Sequence, residues 1–261
     1  MMVLPKMKVE RNTLHNMILR GIIVGAILFI CVLTTGIAFA RKPDGECLSV
    51  FGKYRGHKYQ SPGATIGEGK CLVESKWMKV MQHTVLPEGD GQALISDWLF
   101  IDYHDRINVL VEDAHKGDTD EKRFLVLRQT KYALEGRTSL AVVGGIIEPG
   151  EEAEAAARRE VREELDGMVC NNYHFLGRFR TDVNRGMGWV NSFLAADCHK
   201  DVSNEQTKTN TEEEVGAEDT ERQDIVSMTL SDVRESVQNG SFLEVQWSNT
   251  VALAVLHDAA L

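Results

Sequence analysis

The sequence predicts an α/β fold in which a mixed sheet packs between helices, preceded by one apolar N-terminal helix. Two observations carry this prediction. Short apolar or alternating segments typical of strands occur both before and after a central segment with helical periodicity. More helical segments close the chain. Strands that flank a helix, with another helix at the end, indicate a sheet covered by helices.

The central helix is the clearest element. Between positions 152 and 165 apolar residues recur at steps of three and four, which predicts an amphipathic helix. Pro149 and Gly150 mark a turn immediately before it. The apolar positions are Ala153, Ala156, Ala157, Val161 and Leu165.

The other elements follow from alternation and turn residues. Two helices are expected near the C-terminus, Asp232–Gln238 capped by Ser231 and Ser248–His257. Residues 199–222 are polar and acidic, which predicts a loop. The expected strands are Trp77–Val85, Trp98–Asp102, Ile107–Glu112, Phe124–Arg128, Leu140–Val143, Tyr173–Phe179 and Trp189–Ala196.

The N-terminus predicts a membrane or export signal. Residues 1–20 are basic, and residues 21–40 form an uncharged apolar segment long enough to span a bilayer. Residues 41–74 are expected to be a linker with a loose strand, and residues 75–261 to form the folded domain that carries the function. Two interpretations stay open, an uncleaved signal-anchor or a leader cleaved after Ala38–Ala40. In the first, the positive-inside rule places the domain on the non-cytosolic side of the membrane; in the second it is secreted or organellar.

Charge and cysteine content restrict the function. The net charge of −10 disfavours nucleic acid as a partner. An acidic protein that binds an anionic substrate needs local positive charge, which metal ions and a few arginines would supply. Outside the apolar segment the cysteines permit disulfides in an oxidising compartment, or stay as free thiols. They are Cys47, Cys71, Cys170 and Cys198.

Carboxylates on the central helix predict a metal site. Glu160 and Glu164 stack one turn apart on the side of the alanines, and Glu163 lies at the edge of that side. Like charges at this spacing repel, and partial burial increases the penalty. A divalent cation removes both costs, and hard oxygen ligands suit Mg²⁺, with Mn²⁺ as a substitute. The alternative is a surface helix whose glutamates pair with Arg159 and Arg162.

These residues also form a motif at fixed spacing. It resembles the Nudix hydrolase signature Gx5Ex7REUxEExGU, in which U is a bulky aliphatic residue. The final Gly and aliphatic residue are replaced by Asp166 and Gly167, so the glycine stands one position late. The matching residues are Gly145, Glu151, Arg159, Glu160, Val161, Glu163 and Glu164.

The Nudix resemblance implies specific roles. The fold would be an α/β/α sandwich, and the reaction would be metal-assisted hydrolysis of a diphosphate. Glu160, Glu163 and Glu164 would hold the metal together with the carbonyl of Gly144. Glu151 would orient Arg159.

A narrower resemblance concerns the ADP-ribose and nucleoside-diphosphate-sugar pyrophosphatases. It rests on the strand Phe124–Gln129 followed by Tyr132, and on segments after the signature such as 185–188 and 193–195. The Glu-Leu-Pro-Ala run of that subfamily is replaced here by 141–144, which puts ADP-ribose itself in doubt.

That subfamily implies a small nucleoside diphosphate derivative as substrate and is compatible with a homodimer. Arg128 and Arg185 are candidates to bind phosphate, although each also suits an ordinary surface position. Tyr132 and Trp189 are candidates to stack a base, with core packing as the alternative.

The same resemblance implies a general base on a loop. Glu221, shortly before Asp224 and Ile225, is the first candidate, with Glu218 and then Glu163 as substitutes. The alternative function is a catalytically weak nucleotide-binding or membrane-tethered interaction module.

Overall fold

The computed structural model describes residues 59–75, 77–114, 121–201 and 223–258. Within these ranges the chain forms one mixed sheet of 11 strands and three α-helices. The strands are β1 Ala64–Ile66, β2 Lys70–Glu74, β3 Met78–Pro87, β4 Ile95–Tyr103, β5 Arg106–Glu112, β6 Arg123–Gln129, β7 Ser139–Ala141, β8 Val143–Ile146, β9 Met168–Asp182, β10 Gly186–Lys200 and β11 Gln223–Thr229. The helices are α1 Ala153–Glu164, α2 Leu230–Gln238 and α3 Val245–Asp258, with a 3-10 turn at Tyr132–Leu134.

The sheet is mixed because β10 runs parallel to two strands and antiparallel to a third. Its main path is β1-β3-β4-β10-β5-β6-β11. Strand β10 is parallel to β4 and β5, and it forms a long antiparallel pair with β9. Strand β8 pairs with β5, and β7 pairs with β6. The predicted α/β class with a mixed sheet is confirmed.

The core is centred on β5. Consecutive residues Val109, Leu110 and Val111 are fully buried, so both faces of this strand are covered. Helix α1 contacts β5, β8 and β9, whereas α3 contacts β5, β9 and β10. A strand that is apolar at successive positions is expected where helices cover both faces of a sheet. The helix that bears the predicted carboxylates is therefore anchored to the centre of the sheet.

Helix α1 follows the predicted periodicity closely. Ala156, Ala157 and Val161 are fully buried, and the small alanines bring the helix axis close to the sheet. The helix ends in two consecutive left-handed residues, Asp166 with φ 51° and Gly167 with φ 79°. Asp166, and not the late glycine, therefore takes the first left-handed position after the C-cap Leu165, where glycine is usual, and Gly167 follows it with its N–H donating to the carbonyl of Arg162.

Several predicted boundaries are wrong for identifiable reasons. Thr229, and not Ser231, caps α2: its hydroxyl accepts from the backbone N–H of Asp232, whose carboxylate accepts from the N–H of Thr229. The predicted strand Leu140–Val143 is two strands, β7 and β8, because the chain passes from β6 to β5 at Val142. The predicted linker 41–74 contains, in its described part, the strands β1 and β2.

Several sequence predictions fall outside the described residues. They are the basic region 1–20, the apolar segment 21–40, Cys47, and the part of the acidic loop that carries Glu218 and Glu221. Across the described ranges no helix is long and apolar enough to cross a membrane. A disulfide joins Cys170 of β9 to Cys198 of β10, residues that lie directly opposite each other in this strand pair.

Candidate active site

The site begins where α1 meets β8. The backbone N–H of Gly144 donates to Oε2 of Glu164 over 3.3 Å. A Cβ added at Gly145 would overlap the carboxylate of Glu160. Glycine at this position therefore lets the strand backbone approach the carboxylates closely. The spacing between Gly145 and Glu160 gives the chain enough residues to leave β8, turn, and pack α1 back against that strand.

Arg159 connects the acidic residues of the motif. Its guanidinium forms two hydrogen bonds of 3.1 Å with Glu151, and its Nη1 lies 2.7 Å from Oε1 of Glu160. The same Nη1 lies 3.3 Å from the more exposed Glu163. Its Nη2 also donates to the carbonyl of Ile146 over 3.0 Å. The arginine thus fixes α1 to the loop that follows β8.

Burial raises the pKa values of Glu160 and Glu164. Desolvation raises the pKa of Glu160 to about 7, although Arg159 opposes the shift. Desolvation, followed by repulsion from Glu160, raises the pKa of Glu164 to about 8, opposed by the Gly144 N–H and Lys131. These carboxylates are therefore destabilised as anions, and a bound cation would relieve the destabilisation.

The donor chemistry fits a hard divalent cation. Two partly buried carboxylates lie against the glycine backbone of β8, and the lack of a Cβ at Gly145 provides the space that the Glu160 carboxylate occupies. Within the described ranges, however, no three His, Cys, Asp or Glu side chains converge in an arrangement that would hold a metal. Arg159 contacts both Glu160 and Glu163. Metal binding would require these two carboxylates to share their contacts with the arginine.

A cleft of about 720 Å³ opens beside Glu164. Its polar part includes Glu164, Gly144, Asn108, Arg106 and Lys131. Its apolar part is formed by the 3-10 turn and the start of α3. The lining residues are Tyr103, Arg106, Ile107, Asn108, Leu127, Gln129, Lys131, Ala133, Leu134, Val142, Gly144, Gly145, Ile146, Glu164, Leu243, Glu244, Val245 and Trp247.

A smaller cavity of about 350 Å³ lies on the outer side of α1. Arg158 in its wall is engaged by neighbours: it pairs with Glu154 at 2.8 Å, donates to the carbonyl of Cys170 and covers the ring of Tyr173. The larger cleft is the better candidate for substrate, because it alone of the two is lined by both Gly144 and Glu164.

The predicted substrate-binding residues do not line the large cleft. Arg128 and Tyr132 are exposed, Tyr132 by 85%. Arg185 lies over the ring of Trp98 at 4.5 Å, and Trp189 is flanked by the guanidinium groups of Arg178 and Arg180. Glu221 lies outside the described residues.

The cleft contains residues that sequence reasoning missed. Arg106 and Asn108 come from β5, and Glu244 comes from the residue before α3. Burial raises the pKa of Glu244, opposed by Arg106 and Lys131. A signal was present in the sequence: Arg106 and Asn108 interrupt the apolar strand at alternate positions, where purely apolar residues would be expected.

Comparison with known proteins agrees with this geometry. The model of the NUDIX domain matches residues 102–242, which is more than half of the chain. The chain belongs to the Nudix family. The predicted family is confirmed, and the predicted enzyme class, a Nudix pyrophosphohydrolase, agrees with it.

A structural neighbour shares the Nudix fold. It is described as an ADP compounds hydrolase, and it superposes with a TM-score of 0.58 at 17% sequence identity. The match covers 78% of this chain and 98% of that one. No curated protein matches the chain.

Proposed function

We propose that this Nudix enzyme is a Mg²⁺-dependent hydrolase that cleaves the diphosphate of a nucleoside diphosphate linked to a second moiety, of the ADP-ribose or nucleotide-sugar type. The observation that carries the proposal is the position of Glu164, which is partly buried, accepts a hydrogen bond from the N–H of Gly144 and lines the large cleft. The structural neighbour named as an ADP compounds hydrolase supports the same substrate class.

The charges of the cleft favour a diphosphate over a more highly charged substrate. Among the described lining residues the cations are Arg106 and Lys131, and the anions are Glu164 and Glu244. When both carboxylates are ionised these four charges cancel, and bound Mg²⁺ would favour the ionised form of Glu164, so the occupied site offers no large positive field from these side chains for a polyphosphate. Its apolar part, with Leu134 and Trp247, suits a base or another group with an apolar face. A diphosphoinositol lacks such a group.

The mechanism assigns tasks to the residues of α1. Glu160, Glu163 and Glu164 would hold Mg²⁺ with the carbonyl of Gly144. When bound, the metal polarises the phosphate oxygens and lowers the pKa of an attacking water. Arg159 keeps Glu160 oriented through its second contact with Glu151.

The general base remains a sequence-based proposal. Glu221 would accept the proton of the attacking water, with Glu218 and then Glu163 as substitutes. Replacement of the base by glutamine should lower kcat by roughly 10²–10⁴-fold with little change in Mg²⁺ affinity. Near-native kcat in both Glu221→Gln and Glu218→Gln would move the role to Glu163.

The proposed function is tested by a panel of diphosphates with and without Mg²⁺. The panel contains ADP-ribose, ADP- and GDP-sugars, dinucleotides and a diphosphoinositol, and the readout is release of a nucleoside monophosphate. We expect Mg²⁺-dependent release from at least one nucleotide compound. Binding without any turnover would instead identify a nucleotide-binding module.

We also propose that the domain lies in an oxidising, non-cytosolic compartment. The buried Cys170–Cys198 disulfide supports this, since cytosolic thiols are kept reduced. The basic region before the apolar segment 21–40 supports the same topology. Protease treatment of intact vesicles is the test. Digestion of the catalytic domain from the cytosolic side would contradict the proposal.

A further inference from the structure

We infer that Arg106 and Asn108 of β5, with Glu244 opposite Arg106, form the subsite for the phosphate of the diphosphate that lies away from the metal-binding glutamates. The inference rests on the proposed function, and it names residues outside the Nudix motif. The ligand class is an internal phosphate that carries a single negative charge.

The strand register places this subsite beside the glutamates. Asn108 is paired with Gly144 of β8, whose N–H contacts Glu164, and Arg106 is paired with Ile146. Alternate residues of a strand point to the same face and are separated by about 7 Å. Arg106 and Asn108 both line the cleft. A diphosphate with one phosphate at Glu164 and the other at Arg106 would therefore lie along the direction of β5.

Both side chains carry buried donors that nothing satisfies among the described residues. Nε of Arg106 and Nδ2 of Asn108 are buried and have no hydrogen-bond partner there, and Asn108 is only 4% exposed. An unsatisfied buried donor costs about 1–3 kcal/mol. Phosphate oxygens are strong acceptors that match the planar guanidinium fork. A bound phosphate would satisfy both donors together.

Tyr103 and Glu244 lie beside the guanidinium of Arg106 and orient it, but they leave N–H groups of the guanidinium without a hydrogen bond. Its guanidinium lies over the ring of Tyr103 at 5.2 Å from the centroid. Its Nη1 lies 4.0 Å from Oε1 of Glu244, which is beyond hydrogen-bonding distance. The arginine is thus held at the wall of the cleft while N–H groups remain for a ligand.

Glu244 limits the charge that the subsite accepts. A carboxylate beside Arg106 offsets part of its positive charge, so a terminal phosphate with two charges is repelled more than an internal phosphate with one. The subsite therefore favours diphosphates substituted at both ends.

The first experiment uses Arg106→Gln, Arg106→Lys and Asn108→Ala, with Arg234→Gln on the exposed side of α2 as the matched control. KM and kcat are measured on the best substrate of the panel, and ADP affinity in Mg²⁺ is measured by calorimetry. We expect Arg106→Gln to raise KM and the Kd for ADP about 10- to 100-fold, which is the range for hydrogen bonds to charged groups. Arg106→Lys should be intermediate, Asn108→Ala smaller, and Arg234→Gln unchanged.

The second experiment uses Glu244→Gln. It should improve ADP affinity relative to affinity for the doubly substituted substrate, because only ADP has a terminal phosphate. A purely structural glutamate would change both affinities equally.

The outcomes separate the two proposals. If no compound of the panel is hydrolysed, the proposed function fails, and ADP binding still tests the subsite. If turnover occurs but folded Arg106→Gln and Arg106→Lys bind ADP and substrate within twofold of the natural protein, the subsite is wrong. An unchanged ratio of affinities in Glu244→Gln overturns the charge limit.

Discussion

Two groups of arginines among the described residues differ in how their donors are used. Across β4, β9, β10 and the turn before β10 lies an arginine–tryptophan face, consisting of Arg178, Arg180, Arg185, Trp98 and Trp189. There each guanidinium covers an indole ring, at 4.5 to 5.2 Å. In the cleft, Arg106 has a buried Nε with no partner among the described residues.

The difference separates structural arginines from candidate ligand-binding ones. Arg178 also forms a 2.8 Å ion pair with the buried Asp105, whose other oxygen accepts from the backbone N–H of Trp189. These contacts tie β9 and β10 to the loop before β5. A buried donor without a partner in a cleft therefore indicates a ligand more strongly than a guanidinium that already covers an indole ring.

The largest expected effect is on catalysis at the cleft. Glu164→Gln keeps the shape of the side chain but removes a metal-binding charge, so kcat should fall on the order of a thousandfold at saturating Mg²⁺. Glu154→Gln is the matched control, because Glu154 lies on the outer side of α1 and pairs with Arg158. Circular dichroism should show native folding for both. Natural rates in Glu164→Gln would exclude it as a metal ligand.

The arginine–tryptophan face should respond in stability. Asp105→Ala removes a buried acceptor of two hydrogen bonds, so the free energy of unfolding should fall by about 1–3 kcal/mol. Arg185→Gln, which removes an exposed guanidinium, should change stability by less than about 0.5 kcal/mol and leave KM unchanged. Urea titration and initial rates measure both. A large increase in KM for Arg185→Gln would show that the arginine–tryptophan face also binds substrate.

The pH dependence of stability tests the burial of the cleft carboxylates. The pKa values of Glu160 and Glu164 are raised to about 7 and about 8, from about 4.3 in the unfolded chain. The folded state therefore binds protons more tightly, and this stabilisation is lost as pH rises through 7 and 8.

In EDTA, Tm should consequently fall from about pH 6 to pH 8.5, and Mg²⁺ should raise Tm most at the higher pH. Glu164→Gln should flatten the slope. A Tm in EDTA that does not fall over this range would contradict the raised pKa values.

The smallest effect is expected at the end of α1. Asp166 has a left-handed φ of 51°, which glycine adopts more readily, so Asp166→Gly should change stability by no more than about 1 kcal/mol and leave kcat nearly unchanged. Thermal unfolding and initial rates measure this. A large gain in kcat would mean that the natural helix end impairs the enzyme.

Local features of the fold were predictable from the sequence, and non-local ones were not. Helix α1 and the approach of Gly145 to Glu160 follow from periodicity and spacing within one segment. The pairing of β10 with β5 and the arrival of Glu244 at the cleft depend on contacts between distant segments. The polar positions Arg106 and Asn108 are visible in the sequence of β5, but their place in the cleft is not, since the surrounding residues come from β8 and the start of α3.

The α2 boundary shows a similar limit at short range. Both Thr229 and Ser231 are good capping residues, and sequence favoured the wrong one. The structure selects Thr229 because Asp232 lies three residues later and completes the reciprocal pair. The sequence does contain the deciding feature, since Asp232 stands three residues after Thr229 and only one residue after Ser231.

The Cys170–Cys198 bond has a consequence for producing the protein. It closes a ring between residues 28 positions apart that already face each other across the β9–β10 pair, so its main effect falls on the unfolded chain. A ring of this size is worth about 3–4 kcal/mol through lost chain entropy. Expression in a reducing cytosol should therefore yield a chain that can still pair these strands but is less resistant to heat. Material made in an oxidising host is the appropriate reference for every measurement above.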